Sequence, residues 1–401
     1  MNFTVWLIDA DYITENDRAI VRLWCKDDEG RDVVVFDREF KPYFYLIPFD
    51  NELAISEIEK VGVVKREKVY RPVKVEVVKK SDFGLPVKAM KIYVEHPQLV
   101  PSFREEMKQY GDVREADVLV AVRYIIDHGL YPMDGIEVEG NKLGKIGYGD
   151  IAIDANSVKH KARSDFPELK LAVFDCEMAS STKAMPNPKS DPIVIICVVT
   201  KDSIVTKEKA YLFSTQDLSE KELIEKFVDF IRTYNPDIIA GYNTDEFDWQ
   251  YLRERAGIFR IALEVGRDRS PPSFRQYGMR RSVSIAGRAN VDLYFIAAQQ
   301  LNAVKVKTLE NIADYLGVMK KSDRVLIPGP EISEHWRDPE KRQRLLDYAR
   351  DDAVSTYGIA RELLPIQYEF AKMARLPLDE VSKTGRGRQV EAFLAAEAYK
   401  I

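Results

Sequence analysis

Cysteine is scarce in this chain of 401 residues: Cys25, Cys176 and Cys197 lie far apart and form no CxxC pair. Neither a disulfide framework nor a zinc site is indicated. Four scattered histidines point the same way. No apolar run approaches the ~20 residues that a membrane-spanning helix needs, so no membrane partner is expected. The opening MNFTVWLIDADYITEND lacks a basic region followed by a long apolar one, which reads as no signal peptide and a cytoplasmic protein. Internal repeats and low-complexity segments are missing too. A net charge of −5 argues against indiscriminate nucleic-acid binding, although it leaves room for a local basic groove.

What is there is a folded protein of more than one domain. The length exceeds one ordinary core, and 45% hydrophobic with 31% charged residues fits a globular chain. Short β-branched and aromatic runs, FTVWLIDADYI, AIVRLWCKD, DVVVFDREF and PYFYLIPF, alternate with the turn signals ENDR, DDEGR and FKP, the pattern of a hairpin meander. VKVEVVKK and VKAMKIYVEHP follow as strands, then a helix over LVPSFREEMKQYG closed by Gly111. From GLYPMDG to ARSDFPELK the chain is Gly-rich and weakly patterned, which places a boundary near residue 160. Residues 1–160 are thus expected to form an α+β domain of mixed strands and helices.

The next stretch carries three strands, LKLAVFD, PIVIICVVT and KEKAYLF. Ser219 and Glu222 then make a capping-box signature opening a helix with Leu223, Phe227, Phe230 and Ile231 on one face. Pro236 ends that helix and DIIAGYN makes a fourth strand. Three strands, a helix and a strand predict an α/β domain with a mixed sheet in ribonuclease H-like order. Helices over KTLENIADYLG and DPEKRQRLLDYARDDAVSTYGIARELL complete it.

Three acidic motifs stand out. Asp175 and Glu177 in FDCE are two apart on a strand and so share a face. Alone this is weak, because 65 acids in 401 residues supply on the order of ten such triplets by chance. Asn243, Phe247 and Asp248 in YNTDEFDWQYL sit where a strand passes into a helix, and an acid there also favours the helix dipole. Tyr348 and Asp352 in YARDD are four apart on a helix and therefore neighbours. Each motif has an ordinary solvated reading, but the ordered combination of all three is specific.

That combination resembles the N-terminal and proofreading part of an archaeal family B DNA polymerase, over essentially the whole chain. FDCE, YNTDEFDWQYL and YARDD are similar to the family's three exonuclease motifs, a set of the DEDDy type. YITE, FKPYFYLIP, EHPQLVP, GRANVDLY, KTLENIADYLG and ELLPIQYE follow in family order. The resemblance implies a template-reading domain over 1–160, a 3′ to 5′ exonuclease domain over 161–363, and linking helices over 364–401 that return to the first domain. It implies two ions, Mg²⁺ or Mn²⁺, with Asp175 bridging, Glu177 and Asp352 on the ion that activates water, and Asp248 on the ion at the leaving group. Phosphodiester hydrolysis needs a hydroxide from water and charge held on a leaving oxygen, and hard cations on carboxylates serve both needs. Tyr348 would orient the attacking water, while Asn243 and Phe247 shape a pocket for the terminal nucleotide. Family members often carry threonine where this chain has Met178, which could wedge against a terminal base but offers no hydroxyl.

Residues 260–290 hold seven arginines against Glu264 and Asp268, a local balance of 7 − 2 = +5. Such a patch can neutralise phosphates, and by position it is similar to the family's exonuclease hairpin; Arg280, Arg281 and Arg288 are the expected phosphate contacts. Tyr12, Pro42, Tyr43, Val100, Val118 and Arg123 match the family's template-uracil pocket, although DVLVAVRY puts Leu119 and Val120 where the family has Pro and Phe. The expected partners are DNA as single-stranded 3′ ends and primer-template, a polymerase palm, fingers and thumb portion in cis or in trans, and a sliding clamp through that portion. None of the family's polymerase motifs occurs before the chain stops at VEAFLAAEAYKI, so nucleotide addition is not expected of it. The alternative function is a DNA-binding, uracil-sensing module without nuclease activity of its own.

Overall fold

The structure, a computed structural model, describes residues 1–50, 52–147, 149–180, 182, 184–201, 208–277 and 280–399. Five strands close into a barrel in the order Asn2–Glu15, Asp134–Ile146, Gly149–His160, Asp32–Asp37 and Arg18–Lys26. Alternate residues point inward, so Val5, Leu7, Val21, Leu23, Val33, Val35, Ile136 and Ile153 fill the interior as the two-residue period of a strand dictates. The predicted ENDR turn is real: Asn16 and Asp17 both take positive φ, 49° and 64°, which suits a two-residue hairpin.

Two expectations for this half need correction. The fourth run, Tyr43–Pro48, leaves the meander and joins a separate sheet in the order Lys74–Asp82, Leu85–Tyr93, Tyr43–Pro48, Gly111–Arg114. Phe44, Leu46, Met90 and Ile92 on one face of that sheet pack on Phe103 and Met107 of the helix Val100–Met107. Gly111 starts the last of these strands and does not close the helix; a Cβ there would lie 2.2 Å from the Ile47 carbonyl oxygen, so only glycine lets the strands approach. The Gly-rich stretch 134–160, weakly patterned in the sequence, forms the long hairpin that completes the barrel. Gly140 marks close strand contact: a Cβ there would meet the Asp154 carbonyl oxygen at 2.3 Å, beside a register shift at Glu139/Gly140.

Beyond the barrel a five-stranded mixed sheet runs Lys209–Ser214, Ile193–Thr200, Leu171–Met178, Ile238–Gly241, Ala289–Asp292. The first two junctions are antiparallel and the last two parallel, the predicted ribonuclease H-like order with Ala289–Asp292 added at the edge. Lys207, in the predicted third strand, lies outside the described residues. The helix Glu220–Tyr234 opens on the expected capping box, with Ser219 N–H donating to Glu222 at 2.8 Å, and ends on Asn235 at φ 54°.

Helices cover both faces of this sheet. Leu223, Phe227 and Ile231 of Glu220–Tyr234, with Trp249 and Leu252 of Asp248–Phe259, pack on Phe174, Ile196 and Val198. On the other face Leu345, Ala349 and Ala353 of the long helix Pro339–Ala374 pack on Val173 and Ile195. That helix passes position 364 without a break, with Leu363, Leu364 and Ala371 all buried in one core. No helix among the described residues is long and apolar enough to cross a membrane.

Candidate active site

Strand parity decides where the acids of FDCE go. Phe174, Cys176 and Met178 face the helix pair, so Asp175 and Glu177 face the long helix with Val173. That helix presents Tyr348 and Asp352 one turn apart, with Leu345 and Ala349 buried beside them. One carboxylate oxygen each of Asp175, Glu177 and Asp352 lies within 4.8 Å of the others. Tyr348 donates its phenol hydrogen to Asp352.

Asp248 reaches the same strand from the opposite side. It begins the helix Asp248–Phe259, and its Oδ1 accepts the Cys176 N–H at 3.2 Å. It is not one of the three clustered acids, yet its charge raises the pKa of both Asp175 and Glu177. The loop before it is held by Asp292, whose carboxylate accepts the N–H groups of Asn243 at 2.8 Å and Asp245 at 3.1 Å. Asn243 takes φ 65°, a conformation asparagine tolerates, and half-buried Phe247 packs against Tyr251.

Electrostatics follow from this crowding. Desolvation, then the charges of Glu177, Asp248 and Asp352, hold the Asp175 carboxyl well above the usual range; desolvation and the same neighbours do so for Glu177. Burial pushes Asp248 up to about 7. Asp352 is pushed up to about 6 by burial, against the opposing pull of Arg324 and the Tyr348 hydrogen bond. The Tyr348 phenol is driven upward by burial and the adjacent acids, so it remains a donor.

Arg324 was not legible in the sequence. Its side chain is 2% exposed and ion-pairs with Asp352, while its Nε and Nη1 have no hydrogen-bond partner among the described residues. The neighbouring Val325 N–H donates to Asp351 at 2.8 Å, so one acid of the RDD run anchors the loop and the next pairs its arginine. Four oxygen-donor carboxylates against one arginine fit hard divalent cations: the excess negative charge is what such ions offset.

A pH test follows. Groups whose folded pKa is raised favour the protonated state, so the stability tied to them is complete below their ordinary values and lost as pH rises toward about 6 for Asp352 and about 7 for Asp248. In chelator, the melting temperature of the chain relative to its Asp248→Asn variant is expected to fall by several degrees from about pH 4 to about pH 8. A constant difference would show that Asp248 does not carry this charge cost.

Other expected site residues are placed differently. Met178 is 4% exposed, packed with Phe174 and Cys176 on the face away from Asp175 and Glu177, so it offers almost no surface to a terminal base. Of the arginine patch, Ser273–Tyr277 and Arg280–Ser284 do form a hairpin, with 278–279 outside the described residues. Arg281 is exposed and Arg280 half-buried, the latter over the Phe295 ring with a 2.6 Å bond to the Lys383 carbonyl. Arg288 is 2% exposed and donates to the carbonyls of Val265 and Pro236, which corrects its assignment as a surface phosphate contact. Among the uracil-pocket candidates, Arg123 stacks over Tyr43 at 4.8 Å, while Tyr12, Val100 and Val118 pack against three separate cores. Pro42 precedes the Tyr43 strand, its carbonyl accepting the Val94 N–H at 2.9 Å.

The profile described as DNA polymerase family B, exonuclease domain, matches residues 111–312, which include Asp175, Glu177 and Asp248 but not Tyr348 and Asp352. A DNA polymerase of Archaeoglobus fulgidus is 45% identical over 396 residues, 99% of this chain and 48% of the relative. DNA polymerase 2 of Aeropyrum pernix is 36% identical, covering 98% of this chain and 49% of the relative. The solved family B DNA polymerase from the hyperthermophilic archaeon Pyrobaculum calidifontis superposes with a TM-score of 0.89 at 36% identity, covering 99% of this chain and 50% of that one. The chain spans about half the length of the curated relatives it matches.

Proposed function

The chain belongs to DNA polymerase family B and carries its exonuclease domain, and from that premise we propose that it is a metal-dependent 3′ to 5′ DNA exonuclease with a proofreading role. The observation that carries this reading is the convergence of Asp175, Glu177 and Asp352 within 4.8 Å, with Asp248 bonded to the same strand. Two divalent cations, Mg²⁺ or Mn²⁺, held by these four acids, would neutralise the scissile phosphate and lower the cost of making hydroxide from water. Tyr348, kept protonated, orients a water against Asp352. Arg324 supplies fixed positive charge on the side of Asp352, and Asn243 with Phe247 borders the terminal nucleotide. DNA is the partner in this reading, as single-stranded 3′ ends or a primer-template end. Polymerisation and any sliding-clamp contact fall to the palm, fingers and thumb portion, in cis or in trans.

The test is digestion of a 5′-labelled single-stranded DNA oligonucleotide. A ladder shortening from the 3′ end with Mg²⁺ or Mn²⁺, and stopping on chelation, is the expected result. A folded chain that binds the oligonucleotide yet releases no nucleotide with either metal would leave it a reader of DNA and sink the proposal.

A further inference from the structure

A second charged site lies at the seam between the barrel and the mixed sheet, away from the acids. It is a cleft of about 210 Å³ lined on the barrel side by Asp32, Lys145 and Asp150, and on the sheet side by Arg232, Arg267, Arg269 and Arg288. Five cations thus meet two acids, and both acids are engaged. Asp32 accepts from Lys26 at 2.9 Å, Arg267 at 3.1 Å and Asn235 Nδ2 at 2.5 Å. Asp150 accepts the Asp32 N–H at 3.2 Å and faces Lys145 at 3.6 Å. Behind them Asp237 serves Arg267, Lys26 and the Lys170 N–H.

The arginines are not satisfied to the same degree. Buried Lys26, Arg267 and Arg288 share buried Asp32 and Asp237, with buried Asp9 also acting on Arg267. Arg288 has no carboxylate within 4.0 Å among the described residues; it donates to the carbonyls of Val265 and Pro236 and to Asn235 Oδ1. Its guanidinium is held down to about 9 by burial and by the adjacent Arg267 charge. Arg267 is 2% exposed on its side chain, yet its Nε has no partner among the described residues. Arg269, exposed at the mouth, has no ion pair among the described residues, and Arg232 has only long ones, 3.7 Å to Glu264 and 3.8 Å to Asp229.

A purely structural clamp between barrel and sheet would be complete with Lys26, Arg267, Asp32 and Asp237. Burying a further guanidinium against a like charge costs stability unless an anion offsets it. We infer that this cleft binds a phosphate group, with Arg267 and Arg288 at its floor and Arg269 and Arg232 at its mouth. The volume suits one tetrahedral anion with a few waters, and among the described residues no aromatic ring lines it to stack a base. The group is either free phosphate or the phosphodiester of a strand crossing the seam. Since the lining comes from both units, a bound phosphate ties them together. This assignment does not rest on the nuclease reading.

The experiment uses the full chain in chelator, titrated with inorganic phosphate at constant ionic strength and followed by calorimetry and melting temperature. Saturable binding with a rise in melting temperature, weakened about tenfold or more in Arg232→Ala/Arg269→Ala, is expected for a free anion. If inorganic phosphate is silent but the double variant loses affinity for a single-stranded DNA oligonucleotide, with a salt slope shallower by about one to two, the phosphate belongs to a strand. Arg288→Gln is the second variant; it should abolish either response while raising the ligand-free melting temperature, as expected on removing an unpaired buried charge. A folded double variant that binds both ligands as the parent does, or a parent that binds neither, would overturn the assignment.

Discussion

Asp175→Asn is expected to lower metal-dependent DNA hydrolysis by about 10³-fold or more while raising the melting temperature of the chain in chelator. The loss follows from position. Asp175 is the acid that feels all three others, Glu177, Asp248 and Asp352, and removing one member of a set that acts as a unit costs nearly as much as removing the set. The gain in stability follows from the same crowding. Without cations, desolvation and three neighbouring carboxylates oppose the charge of Asp175, and an amide of the same shape carries no such penalty. With Mg²⁺ present the order should reverse, because the parent gains ion-binding energy that the variant cannot. Rates from labelled oligonucleotide and paired melts in chelator and in Mg²⁺ check all three statements. A variant that is inactive but also less stable in chelator would mean that Asp175 holds the fold and that its role in the chemistry is unproven.

How far the site was readable depends on what kind of information placed each group. Asp175 and Glu177 lie on one face because a strand has period two, and Tyr348 with Asp352 because a helix turns every 3.6 residues; both are local and survive without coordinates. The Ser219 cap and the stop before Pro236 were local as well. Arg324 depends on none of these rules. It sits in a loop between two short elements, and only the fold of that loop onto Asp351 brings it to Asp352. Asp292 is hidden for the same reason, since its hold on Asn243 and Asp245 joins strands from separate parts of the sequence. Charge counting misled at Arg288: a run of arginines reads as a surface patch, but Arg267 and Arg288 turn inward to the seam. Glycines at 134–160 carried two meanings that sequence does not separate: Gly147 sits in the hairpin turn, whereas Gly140 permits strand contact.

Arg324→Met should destabilise the chain in chelator by about 3–5 kcal/mol, the usual cost of leaving a buried charge without its partner, which is roughly 10 °C or more in melting temperature. The methionine keeps much of the volume, so the effect measured is the charge. Among the described residues Arg324 is the one cation paired with an acid of the cluster, and it opposes the ionisation cost of Asp352 and Asp175. Two controls separate this from loss of packing. Arg324→Met/Asp352→Asn should recover part of the loss, because the unpaired carboxylate is gone with its partner, and the non-additivity measures the coupling. Millimolar Mg²⁺ should raise the melting temperature of Arg324→Met more than that of the parent, since added cations then do what the guanidinium did. If Mg²⁺ shifts parent and variant equally, and the double variant is no better than the single one, Arg324 acts as a loop anchor and not as the counter-charge of the acids. Nε and Nη1, unpartnered among the described residues, favour the electrostatic role: an anchor would have its hydrogen bonds made, whereas this guanidinium is held for its charge.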